Sequence, residues 1–251
     1  ISMKARHATG LRERVTYALV RLLYPFADAV VAVSTGVAED LERFGGFPKG
    51  RVKVIYNPVT HEGMLRQAQE PEDHLWFQAG QMPVILAVGR LHPQKGFDTL
   101  RHAFKRVRSG QECRLAIAGE GDERGALEAL ARELGVEADV VFLGFVSNPY
   151  RLMARAHVFV LSSRFEGLPS ALLEAMYCGA PVVSTDCPSG ASEILDGGRY
   201  GALVPVDDVV ALADAISNIL RDRPPAAMDR ALQYNVGASV SAYLELLECA
   251  N

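Results

Sequence analysis

The chain has 251 residues, of which 49% are hydrophobic and 22% charged. That is a span of one to two folded domains, and the apolar content excludes disorder as the main state. The 22 glycines and 13 prolines follow no period, which excludes a collagen-like or low-complexity chain. The net charge of −4 argues against a general nucleic-acid binder. The charge is uneven, however. Lys4, Arg6, Arg12, Arg14 and Arg21 against Glu13 give the first 27 residues a balance of +4 and leave −8 for the rest. No apolar run approaches the roughly 18 residues of a membrane span, and no secretory leader is evident. Cys113, Cys178, Cys187 and Cys249 show no zinc-ligand spacing. They read as reduced thiols of a cytoplasmic protein. The chain opens at Ile1 inside what reads as the middle of an element, so a fragment or a processed chain is expected.

In chain order, Leu11, Val15, Leu19 and Leu22 repeat at helical spacing, with arginines elsewhere on the wheel. They predict an amphipathic helix over 10–24. Asp28–Ser34 is a short buried strand, followed by a helix capped at Ser34 or Thr35 and ended by Gly45-Gly46. Val52–Pro58 is a strand that stops at proline. Residues 59–83 lack a clean period and read as a linker with some local helix. From Val84 onward, runs rich in Val, Ile, Leu and Ala alternate with helical patterns as far as residue 222. This rhythm predicts an α/β fold with a parallel sheet covered on both faces and doubly wound. Pro224-Pro225 breaks the chain, and Val236, Val240, Tyr243, Leu244 and Leu247 mark a terminal helix. The predicted organisation is a partial α/β unit over 1–58, a linker over 59–83, a complete unit over 84–222 and C-terminal helices over 223–251.

Ligands of open parallel sheets bind outside the carboxyl ends of the strands, so the strand-to-helix loops carry the candidates. Gly89–Gly96 offers Gly89 for close backbone approach and two cations, Arg90 and Lys95, suited to a diphosphate. Gly119–Gly125 resembles a dinucleotide fingerprint whose third glycine comes one residue late, and a tight turn before a helix is the better reading. Ser162–Gly179 combines Gly167, then Pro169 at a helix start whose free amides favour anions, with Glu166 before the helix and Glu174 inside it. Paired carboxylates suit the hydroxyls of a sugar or ribose.

The segment FEGLPSALLEAM followed by CGAPVVSTD resembles the Glu-x7-Glu motif of retaining family 4 glycosyltransferases of GT-B fold. AVGRLHPQKG and VVFLGFV match that family at the expected intervals upstream, and the similarity runs over about residues 28–222. The resemblance implies a Rossmann-like domain that binds a nucleotide-diphosphate sugar. Arg90 and Lys95 would neutralise the diphosphate, Glu174 would hold the ribose and Glu166 would orient the donor sugar. The Gly167 and Leu168 amides would meet phosphate and sugar, with Pro169 and Ser170 opening the helix behind them. Phe145 and Val146 would border the base, and Gly89 and Glu120 complete the predicted donor site. ADAVVAVSTGVAEDL and VIYNPV resemble the last part of the N-terminal, acceptor-side domain. The segment after Pro225 resembles the terminal helices that pack back on that domain.

The expected activity is therefore transfer of a sugar, with retention and without a metal or other cofactor. A UDP-sugar is the favoured donor. DCPSGASEIL in place of a Gly-Gly loop is closer to bacterial enzymes of surface polysaccharide synthesis, such as lipopolysaccharide, so the acceptor is a glycan or a polyprenyl-linked saccharide. A nucleotide-sugar-binding fragment without turnover and a UDP-sugar epimerase of the same fold are the alternatives. The basic first 27 residues and the stripe on the first helix allow either a peripheral contact with an anionic membrane or plain packing on the N-terminal domain.

Overall fold

The computed structural model describes residues 11–249. The most N-terminal cations, Lys4 and Arg6, lie outside the described residues. The first unit runs α1 (Leu11–Leu23), β1 (Val30–Ala32), α2 (Thr35–Gly45) and β2 (Val52–Val54). β1 and β2 pair in parallel, Val30 opposite Val52. Ser34 caps α2 by accepting the Val37 amide at 3.3 Å. Gly46, at φ 78°, takes the left-handed conformation that ends the helix. Val20, Val30, Ala32, Val37, Leu41, Phe47 and Val52 form a small core. The face of α1 that meets it carries Val20, whereas Val15, Leu19 and Leu22 of the predicted stripe are exposed.

Residues 59–83 are a packed strap. α3 (Glu62–Ala68) lies on the later helix at 150–155, with Met64 fully buried, and a short turn at Leu75–Phe77 buries Phe77 in the same core. The second unit then alternates β3 (Val84–Val88), α4 (Phe97–Gly110), β4 (Arg114–Ala118), α5 (Arg124–Glu133), β5 (Val140–Gly144), α6 (Tyr150–Arg155), β6 (Val158–Leu161), α7 (Ser170–Tyr177), β7 (Val182–Thr185), α8 (Ala191–Ile194), β8 (Ala202–Val204) and α9 (Val209–Arg221). Its six strands are all parallel, in the order β5-β4-β3-β6-β7-β8. Side chains alternate faces with the period of two that strands require. Val84 and Leu86 meet a layer with Leu172, Met176 and Ile194, while Ile85 and Ala87 meet Leu100, Phe104, Leu212 and Ile216. Burial on both faces explains why these strands read as continuous apolar runs.

After Pro224-Pro225, the short α10 (Met228–Ala231) leads into α11 (Val236–Cys249). This segment returns to the front of the chain. The Val59 and Thr60 amides donate to the Tyr234 carbonyl at 2.9 and 3.1 Å, and Ser239 Oγ donates to the Tyr56 carbonyl at 2.7 Å. Cys113, Cys178 and Cys187 are buried free thiols.

Candidate functional site

Strand order reverses between β3 and β6, and the crevice beyond their carboxyl ends is where open sheets of this kind bind ligands. The loops after β3, β4, β5 and β6 meet there. The β3–α4 loop closes in a short turn at Pro93–Lys95 and ends at Gly96, with φ 60°. A Cβ at Gly96 would collide with the Ser162 carbonyl, so glycine lets this loop lie directly on the one after β6. Gly119 and Gly121 do the same against the Gly89 and Leu91 carbonyls. The Gly89 amide donates to the Ala118 carbonyl at 2.9 Å, and Leu91 donates to Glu120 at 2.8 Å. The near-fingerprint at Gly119–Gly125 is thus a backbone-packing turn.

A cleft of about 380 Å³ opens between these loops, lined by Gly89, Arg90, Glu120, Phe145, Val146 and Pro149 among others. Arg90 stands exposed at its rim without an ion pair among the described residues, and the Phe145 ring is 77% exposed. A larger cleft of about 560 Å³, walled by Pro181, Tyr200, Pro224 and Arg230, lies at the opposite, amino-terminal edge of β7 and β8. It holds none of the predicted site residues.

Lys95 and Glu166 come together at 2.6 Å. Glu166 is only 8% exposed and also accepts from Ser163 Oγ at 2.7 Å. The two loops are stitched further by Ser162 Oγ to the Lys95 carbonyl (2.7 Å) and Gln94 Nε2 to the Phe165 carbonyl (2.8 Å). Arg164 is the strongest of these links. Its Nη1 donates to the Pro93 carbonyl (2.6 Å), its Nη2 to Asp98 (2.7 Å) and its Nε to both oxygens of Asp207 (3.0 and 3.1 Å).

Gly167, Leu168, Pro169 and Ser170 form the entry to α7, with Pro169 in the capping position one residue before the first helical residue. Among the described residues the Leu168 amide has no hydrogen-bond partner. Glu174 is half-buried on the second turn. Burial pushes its carboxyl above the usual range, and its charge, after burial, helps raise the Tyr150 phenol. Burial, followed by the nearby Glu166, pushes the Cys187 thiol up to about 12, so it is no nucleophile at neutral pH.

The predicted residues therefore occupy one edge of the sheet in two groups, a cleft group around Arg90 and Phe145 and a polar group around Lys95 and Glu166. Sequence reasoning missed Arg164, Ser163, Ser34 and Glu193. Ser34 Oγ donates to the Gly167 carbonyl at 2.7 Å, and Glu193 on α8 accepts from Thr35 and Tyr56. Arg164 and Ser163 sat inside the segment Ser162–Gly179, just ahead of the Glu-x7-Glu motif. The other two were visible only as a helix cap and a charged surface residue.

A doubly wound domain in this strand order presents a crevice at its switch point, and here that crevice holds a cation, a buried carboxylate and open helix amides, groups suited to an anionic ligand. The profile of glycosyl transferases group 1 matches residues 82–222 and that of glycosyltransferase family 4 matches residues 4–62, so the chain belongs to the group 1 glycosyl transferases. The Campylobacter jejuni N-acetylgalactosamine-N,N'-diacetylbacillosaminyl-diphospho-undecaprenol 4-alpha-N-acetylgalactosaminyltransferase is 36% identical over 205 residues, covering 81% of this chain and 54% of that protein. The lipopolysaccharide 1,6-galactosyltransferase of Salmonella typhimurium is 32% identical, covering 74% of this chain and 51% of its own length. The chain thus spans about half the length of the curated relatives it matches. Among solved structures, the apo form of a lipopolysaccharide outer core galactosyltransferase aligns with a TM-score of 0.75 at 26% identity, over 90% of this chain and 63% of that one. Anabaena HepE in complex with UDP aligns at 0.80 and 24% identity, over 98% and 70%. The architecture is the GT-B type.

Proposed function

We propose that the chain carries the donor site of a retaining glycosyltransferase that moves a sugar from a UDP-sugar to a lipid-linked or lipopolysaccharide glycan. The observation that carries this reading is the Lys95–Glu166 pair set beside the open amides of α7 at the switch point of the sheet. The reaction breaks the bond between the anomeric carbon and the diphosphate, so negative charge grows on the leaving phosphate. Lys95, Arg90 and the α7 amides supply the positive potential there, without recourse to a metal or other cofactor. Glu166 orients the sugar hydroxyls, Glu174 accepts from the ribose, and Phe145 and Val146 flank the uracil in the cleft. With retention, the acceptor hydroxyl attaches on the face the diphosphate leaves. The UDP complex of the Anabaena neighbour and the undecaprenol-linked substrate in the name of the Campylobacter relative support the donor and acceptor classes.

Calorimetry with UDP tests the donor site. Arg90→Ala should weaken UDP by about 1.5–3 kcal/mol, the usual worth of a hydrogen bond to a charged group. Equal affinity in variant and parent would remove Arg90 from the diphosphate. The reading extends to a peripheral contact with anionic lipid through the basic N-terminal residues and α1, which the exposure of Val15, Leu19 and Leu22 supports.

A further inference from the structure

The loop that faces the donor is held from the first unit. Ser34 is fully buried, and its hydroxyl donates to the Gly167 carbonyl at 2.7 Å, across 133 residues of sequence. The Gly167 carbonyl and the Leu168 amide share one trans peptide plane, so they point in opposite directions. Fixing the carbonyl on Ser34 therefore aims the Leu168 N–H away from Ser34, and that amide has no partner among the described residues. There is no slack around this arrangement. A side chain at Gly36 would strike Ser189, and one at Gly190 would strike Pro169 and the Gly167 carbonyl. The Glu166 amide is itself tied to the Pro188 carbonyl at 3.2 Å.

The turn that carries Ser34 is anchored in its own right. The Glu193 carboxylate receives the Thr35 amide (3.0 and 3.2 Å), Thr35 Oγ1 (2.5 Å) and the Tyr56 hydroxyl (2.5 Å). Behind it, Arg230 donates to the Glu193 and Ile194 carbonyls at 2.6 and 2.9 Å and lies over the Tyr234 ring. The Tyr234 ring packs on Tyr56 with 4.9 Å between centroids. The contacts run from Tyr56 through Glu193, Arg230 and Tyr234 back to Tyr56. They tie together the first unit, the segment between β7 and β8, and the C-terminal segment.

We propose that Ser34 is a positioning residue for the donor diphosphate: through the Gly167 carbonyl it aims the Leu168 amide, and the Glu193–Tyr56 clasp keeps it in place. This rests on the donor-site reading above. Ser34 also caps α2, so loss of fold and loss of aim have to be separated. The test is calorimetry on the full chain with UDP and with uridine, alongside melting temperatures, for Ser34→Ala, Ser34→Thr and Tyr56→Phe. Ser34→Ala should weaken UDP about five- to tenfold and leave uridine within about twofold, because only the diphosphate meets the amide. Ser34→Thr, which keeps the hydroxyl, should restore UDP affinity. Tyr56→Phe keeps the ring against Tyr234 and loosens only the clasp, so a smaller loss confined to UDP is expected. Equal UDP affinity in the Ser34→Ala variant and the parent, or parallel losses of UDP and uridine, would overturn the positioning role. If Ser34→Ala does not fold, an unchanged UDP-to-uridine ratio in Tyr56→Phe would overturn it. A parent chain that binds no UDP would instead overturn the donor-site reading.

Discussion

Glu166 and Glu174 lie eight residues apart, yet their surroundings set them different tasks. Glu166 already has a cation and a hydroxyl as partners, so it is held in one place beside Lys95. Glu174 has no such partner among the described residues, and burial raises its pKa. An incoming ribose diol would supply the missing donors. Glu174→Ala should therefore weaken UDP and UDP-sugar alike, whereas Glu166→Ala should weaken mainly the UDP-sugar or slow transfer. The same ratio of the two affinities in both variants, by calorimetry, would show that no such division exists. The raised carboxyl of Glu174 also has a stability consequence. Its folded pKa lies above the unfolded value, so the native state holds the proton more tightly. The contribution is fully present below the ordinary carboxylate range and is lost as pH rises through the raised value. Glu174→Gln mimics the protonated form. It should raise the melting temperature of the ligand-free chain at pH 7, with the gain vanishing at a pH in the ordinary carboxylate range. A gain of equal size at both pH values in thermal scans would point to packing rather than charge. Together with weaker UDP binding, this is stability given up for function.

At the scale of elements, the site is made by loops that lie on one another, and Gly96 is the crossing that joins the loop of Lys95 to that of Glu166. It ends the Pro93–Lys95 turn and starts α4 with φ 60°, pressed on the Ser162 carbonyl. Gly96→Ala would add backbone strain and push the loop that carries Lys95 away from the loop that carries Glu166. Such strain costs about 1–3 kcal/mol, and UDP affinity should fall as well, because the 2.6 Å pair opens. A variant that melts and binds like the parent would show that the loops adjust freely. The strands themselves were legible in the sequence. Val84–Val88 and Val158–Leu161 are buried on both faces, and that alone writes an apolar run. The helix cap at Ser34 was equally plain, since it is a local signal. What could not be read is long-range. Arg164 meets Asp207 43 residues on, and Glu193 meets Thr35 158 residues back. No local pattern marks such partners. α10 has four residues, too few for a helical period to show. The strap at 59–83 looked featureless because only a few of its side chains, Met64 and Phe77 among them, reach the core.

For the whole molecule, the sheet and the α1 helix face different demands. The sheet is sealed by helices on both sides, whereas Val15, Leu19 and Leu22 of α1 are about half exposed or more, at 50%, 48% and 64%. The first 27 residues carry +4 while the remainder carries −8, so attraction to anionic lipid would draw on this end alone. A cation near an anionic surface contributes about 1 kcal/mol, so four net charges give weak, reversible binding, to which the apolar stripe adds insertion into the interface. A lipid-linked acceptor would then be met where it resides. No described helix is long and apolar enough to cross a membrane. Flotation of the full chain with phosphatidylcholine vesicles and with vesicles containing phosphatidylglycerol measures it. The expected result is recovery with the anionic vesicles only, fading as salt shortens the screening length to below about 8 Å. Leu19→Glu should reduce that recovery without changing UDP affinity, because α1 lies outside the donor cleft. Equal recovery on neutral and anionic vesicles, or none on either, would reject the electrostatic contact and leave the stripe as a packing face.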